Sequence, residues 1–172
     1  MQIGSLHLNG FFFLAPLAGY TDLPFRLLCR RFGAGMCYSE MISCNGLVYG
    51  QKNTLALLET NSGERPFGLQ LFGHEPDIMG EAAAMLASHP ADLIDINMGC
   101  PVKKVIKRGA GASLMKDPKL AGHIIAAVRR ATDKPVSVKI RTGWNHQSKN
   151  AAEFARMAEA NGADAITVHG RT

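Results

Sequence analysis

The chain has 172 residues, 47% hydrophobic and 19% charged, enough for one globular domain with a buried core and too large for a disulfide-stapled mini-protein. Its 18 Gly and 8 Pro are scattered, which excludes collagen-like and disordered tracts. Nineteen Lys plus Arg against 14 Asp plus Glu leave +5, a moderate excess that suits an anionic partner such as RNA.

Taken in chain order, short β-branched or apolar runs alternate with amphipathic stretches, the pattern of βα units building a parallel sheet. Six strands are predicted, over residues 11–17, 36–41, 66–72, 92–97, 135–141 and 165–169, each bounded by Gly, Pro or Asp. Four helices announce their starts by cap chemistry: Asp22 before Leu23 and Pro24, Glu75 before Pro76, Asp117 before Pro118, and Asn150 with Glu153 three residues on. In the third, Leu120, Ile124, Ala127, Val128 and Ala131 form one apolar stripe suited to lie on a sheet. Gly33 and Gly162 suit left-handed C-caps. With no internal repeat, low-complexity tract or linker, residues 1–172 read as one domain.

The cysteines, Cys29, Cys37, Cys44 and Cys100, form no C-x-x-C pair and do not cluster with histidines, so neither a metal site nor a disulfide framework is expected, and a reducing cytoplasm fits best. No apolar run approaches the roughly 20 residues that span a bilayer, and no signal-peptide pattern opens the chain. Nothing indicates an oligomer.

Strand-helix alternation favours a doubly wound sheet or a (β/α)₈ TIM barrel, and the placement of polar residues selects the barrel. Ser39 with Glu40, Gln70, Asn97 with Cys100, Lys139 with Arg141, and His169 with Arg171 stand at or just past strand C-terminal ends, the rim where barrel enzymes build their sites. The one glycine-rich loop, Gly109 to Ser113, matches neither G-x-G-x-x-G nor G-x-x-x-x-G-K-[ST].

Several of these residues could carry chemistry. Cys100, in DINMGCP, follows an apolar strand, with Gly99 permitting close backbone approach and Pro101 setting the turn; the other cysteines read as small buried hydrophobes. Lys139 and Arg141 share one side of their strand, and two cations on a barrel rim want an anion, for which a reduced flavin or a phosphate is a better partner than water. His169 could donate to a cofactor oxygen, although a lone histidine is usually structural. Gln70, an amide in an apolar strand, needs partners, which an aromatic cofactor's pyrimidine edge or the protein itself could equally supply. Lys103, Lys104, Lys107 and Arg108 are either a solvated loop or a track for phosphates.

Five segments, APLAGYTDLPFR (15–26), LQLFG (69–73), DINMGCPVKKVIKRGAGASLMKDP (95–118), VSVKIRTGW (136–144) and ITVHGRT (166–172), together resemble, in order and spacing, the tRNA-dihydrouridine synthases, nearest to their bacterial B-type branch. The resemblance implies an FMN-dependent TIM barrel that reduces a uridine in tRNA to 5,6-dihydrouridine with NADPH as electron source. Pro16, Leu17 and Ala18 match the flavin-cradling segment, with Leu17 where methionine is commoner. Gln70, Lys139 and His169 fall on flavin-contacting positions, Cys100 on the proton donor, and Asn97 and Arg141 on positions facing the uracil.

A complete barrel has eight strands and about 250 residues, so the chain is expected to be an N-terminal portion with about six βα units, lacking the last strands and the helical tRNA-gripping domain of the family. Two alternatives stay open: a flavin barrel reducing free pyrimidines, related to dihydroorotate dehydrogenases, for which the basic run is incidental, and a non-catalytic fragment with weak RNA binding.

Overall fold

The computed structural model describes residues 1–172. A hairpin of β1 (Gln2–Ile3) and β2 (Leu6–His7) precedes a six-stranded parallel sheet. The sheet runs β3 (Phe13–Leu14), β4 (Met36–Ser43), β5 (Phe67–Phe72), β6 (Leu93–Met98), β7 (Val136–Arg141) and β8 (Ala165–His169), each strand paired with the next in chain order. A doubly wound sheet reverses its strand order at a switch point, and this sheet never does. It also curls: Phe13, Ala15 and Pro16 from one end of the order and Thr167 from the other line one hollow of about 70 Å³. These are six strands and the five helical crossovers between them, part of a (β/α)₈ TIM barrel; the sixth strand, expected to open a sixth βα unit, is the last element described.

Side-chain alternation builds two environments from the same strands. Phe67, Leu69 and Leu71 of β5, Ile94, Ile96 and Met98 of β6, and Val136, Val138 and Ile140 of β7 face outward. They pack under α4 (Pro76–Met85), α6 (Pro118–Ala131) and α7 (Ala151–Ala160) through Met79, Ile124, Ile125, Val128 and Phe154. The inward residues are Gly68 and Gln70, Asp95 and Asn97, and Ser137, Lys139 and Arg141. At the N-terminal ends of the strands Met36, Tyr38 and Leu93 pack with Ile3 and Leu8, so the hairpin plugs that end of the cylinder. A Cβ on Gly68 would lie 2.7 Å from the Tyr38 ring, which crosses the interior there.

Asp22 caps α1 (Leu23–Arg31) by accepting from Phe25 N at 3.0 Å, and Asp117 caps α6 by accepting from Leu120 N at 3.0 Å. Glu75 and Asn150 stand at the expected helix starts without a side-chain cap bond. Asn150 instead donates Nδ2 to Met115 O, and its buried Oδ1 has no partner. Gly33 and Gly162 take the expected positive φ, +90° and +97°.

The strand expected over residues 11–17 shrinks to two residues, because Phe11 and Phe12 are 82% and 83% exposed and the chain beyond Leu14 leaves the sheet. It turns at Leu17, whose N–H bonds Thr21 Oγ1 and whose carbonyl accepts from Tyr20 N. Sequence patterning also passed over the N-terminal hairpin and the short helices α2 (Cys44–Val48), α3 (Lys52–Ala56) and α5 (Lys103–Ile106). No helix is long and apolar enough to cross a membrane.

A buried guanidinium ties α1 to the sheet. Arg26 donates Nε to Glu64 Oε2 at 2.5 Å and Nη2 to Glu64 Oε1 at 3.0 Å, gives Nη1 to Thr21 O and Nη2 to Glu59 O, and lies 4.5 Å from the Phe67 ring centroid. Both partners are buried, so neither can be rehydrated when the other is removed. Glu64→Ala is expected to lower the unfolding free energy by about 3–5 kcal/mol, read as a shifted urea midpoint; an unshifted midpoint contradicts this account of the pair.

Candidate active site

At the C-terminal ends of the strands lies a cleft of about 670 Å³, within the roughly 300–1,000 Å³ common for small-ligand sites. Pro16, Leu17 and Ala18 form a ledge after β3, and Gln70, Asn97, Cys100, Lys139, Arg141 and His169 come from β5, β6, β7 and β8 or the loop after β6. The nine residues that the sequence resemblance assigns to cofactor, base or proton transfer all line this one hollow, whereas the strand-end Ser39, Glu40 and Arg171 and the basic run 103–108 are not among its lining. An open groove of similar size on α1, lined by Pro24, Leu27, Leu28, Arg30, Arg31 and Gly63, gathers no such set of polar groups.

Strand register explains the convergence. In-register pairing sets Gln70 beside Asp95, Asp95 beside Ser137, Asn97 beside Lys139, and Arg141 beside His169. The Gln70 amide is satisfied largely within the protein: Nε2 donates to Asp95 Oδ2 at 2.6 Å and Oε1 accepts from Asn97 Nδ2 at 2.8 Å. A second N–H on Nε2 and a second lone pair on Oε1 remain for a ligand. Asn97 Oδ1 then accepts from Gly99 N at 3.2 Å and Cys100 N at 2.9 Å, an Asx turn that sets the backbone at the thiol.

The loop beyond Cys100 folds back on it. Ala112 N donates to Cys100 O at 3.0 Å, and Gly111, at φ +61°, would bring a Cβ within 2.7 Å of that oxygen. The glycine-rich stretch is therefore a seat for the Cys100 backbone. Arg141 is more tied down than a free rim cation: Nε donates to Gly99 O and Nη1 to Thr172 O, each at 2.7 Å.

Sequence reasoning passed over Asp95, although it stands two residues before Asn97 on the same strand face. It is 2% exposed and accepts from Gln70 and from Ser137 Oγ. Burial pushes its carboxyl up to about 6, against the hydrogen bonds of Ser137 and Gln70 and the charge of Lys139. Lys139 is held below the ordinary ammonium range by burial, with Arg141 adding to the effect and Asp95 opposing it. It belongs to none of the chain's ion pairs. His169 is likewise lowered, by desolvation and then by Lys139, Arg141 and Arg171. Met41, Thr21, Phe25 and Val102 also line the cleft; Met41 follows a register shift in β4, a device that re-aims side chains. No group of three or more His, Cys, Asp or Glu is placed to hold a metal ion.

A family model described as dihydrouridine synthase (Dus) matches residues 13–172. The chain is 46% identical over its whole length to tRNA-dihydrouridine synthase B of Xanthomonas campestris pv. campestris, covering 52% of that protein. It is 43% identical to the protein of the same name from Pseudomonas aeruginosa, again over the whole chain and 52% of the relative. Over 92% of the chain it is 48% identical to a probable tRNA-dihydrouridine synthase of Rhizobium leguminosarum bv. phaseoli, covering 50% of it. The chain thus spans about half the length of the curated relatives it matches.

The elevated carboxyl of Asp95 gives a signed pH effect. The folded state holds this proton more tightly than the unfolded state, whose value is near 3.8, so the contribution is complete below that value and is lost as pH rises through about 6. Relative to Asp95→Asn, the native chain should lose about 2 kcal/mol of stability between pH 4 and pH 7, measured by urea unfolding at each pH. Parallel profiles for the two proteins exclude this titration.

Proposed function

Since the chain belongs to the dihydrouridine synthase family, we propose that its cleft binds FMN and reduces the C5–C6 bond of a tRNA uridine to dihydrouridine, with NADPH as reductant, in the cytoplasm. The observation that carries this reading is the convergence of Cys100, Gln70 and Lys139 on one hollow. The residues fit a flat, electron-rich ring: an apolar ledge at residues 16–18, an amide with an N–H to spare, and a half-buried ammonium outside every ion pair of the chain. When bound, FMN supplies hydride to the uracil C6, its two electrons coming from NADPH.

The chain's own groups complete the chemistry. Lys139 holds positive charge toward the ring edge and His169, a neutral imidazole there, offers a ring N–H, while Pro16, Leu17 and Ala18 give it an apolar bed. Cys100 keeps a proton on Sγ for delivery to the uracil C5, where reduction builds negative charge. Asn97 and Arg141 face the base from the rim. A uridine in folded tRNA must leave its stack at a cost of a few kcal/mol. Exposed Lys103, Lys104, Lys107 and Arg108, beside Cys100, meet phosphates and offset that cost.

In the full-length protein, Cys100→Ala should retain FMN binding, read by quenching of flavin fluorescence, and lower NADPH-dependent dihydrouridine formation on unmodified tRNA by about 10²–10⁴-fold. Product at the native rate removes Cys100 from the chemistry. Faster reduction of free pyrimidines than of tRNA replaces tRNA as substrate.

A further inference from the structure

A buried acid that no step above uses lies beneath the cleft. Ser137 donates to Asp95 Oδ1, Gln70 donates to Asp95 Oδ2, Asn97 donates to Gln70 Oε1, and the N–H groups of Gly99 and Cys100 donate to Asn97 Oδ1. Each bond of this relay is 2.5–3.2 Å long. Its two ends are chemically one-sided: an ionised carboxylate only accepts and a backbone N–H only donates. Each amide between them must therefore take its hydrogen bond on one side and give one on the other, and a single orientation of both amides satisfies every member.

We infer that Asp95 is a positioning residue: its carboxylate sets the direction of the Gln70 and Asn97 amides, and through them the backbone that holds Cys100 on the cleft rim. The carboxylate is ionised above about pH 6, the range in which it is acceptor-only. Without it, Gln70 is free to turn its oxygen away from Asn97 Nδ2. Asn97 then has no fixed reason to present its own oxygen to Gly99 and Cys100. The catalytic consequence rests on the reading of Cys100 as proton donor; the structural link does not.

Amide hydrogen exchange on the full-length protein tests the link. Asp95→Ala should accelerate exchange at Gly99 and Cys100 at least tenfold, while Ile94, whose N–H bonds Pro135 O, changes less than threefold. Asp95→Asn should restore protection to within threefold of native, since its oxygen still accepts from Gln70 while its Nδ2 gives a hydrogen to Ser137 Oγ. Should Asp95→Ala fail to fold, Gln70→Leu breaks the relay one step along and predicts the same loss at the same amides. Exchange at Gly99 and Cys100 that is unchanged, or that rises no more than at Ile94, overturns the inference. For catalysis, Asp95→Ala should lower kcat for dihydrouridine formation at least tenfold with KM for tRNA within threefold of native, and a native kcat also overturns it. If Cys100→Ala keeps forming product, the proton-donor reading fails while the exchange result still stands.

Discussion

Alternate residues of a strand point to opposite faces, and in a curled parallel sheet one of those faces is the inside of a cylinder. In β5, β6 and β7 the outward set is apolar throughout, so the helical layer holds these strands in place regardless of what the inward set contains. That leaves the inward set free to be polar. A carboxylate, two amides, a hydroxyl, an ammonium and a guanidinium occupy it, and each is tolerable there because its register neighbour supplies a partner or because it opens onto the cleft. The candidate chemistry thus depends on a packing arrangement in which none of its residues takes part.

The strands that carry the site were legible because their alternation is regular. The range 165–169 coincides with β8, and β5, β6 and β7 differ from expectation by a residue at one end or both. The strand-end position of Gln70, Cys100, Lys139 and His169 likewise follows from counting along these runs. Period alone fails where burial does not follow it. The apolar residues Phe11 and Phe12 extend the first run on paper yet face solvent.

What a one-dimensional reading lacks is the partner. Asp22 and Asp117 cap their helices as their positions suggest, whereas Asn150 has the same chemistry and gives its amide hydrogen to Met115. Lys139 is recognisable as a cation in need of an anion, but the buried Asp95 that stands near it comes from another strand 44 positions back. The glycines at 109 and 111 look like a phosphate loop gone astray. Their purpose emerges only when Gly111 is seen against the Cys100 carbonyl.

The ledge at residues 16–18 hangs from a turn closed by Thr21, and the Thr21 carbonyl is held by Arg26, itself clamped by Glu64. Cleft shape and core integrity consequently share one anchor far along the chain. The positions that shape the cleft therefore include Glu64 and Arg26, which lie outside its lining, and form a larger set than the groups that border the hollow.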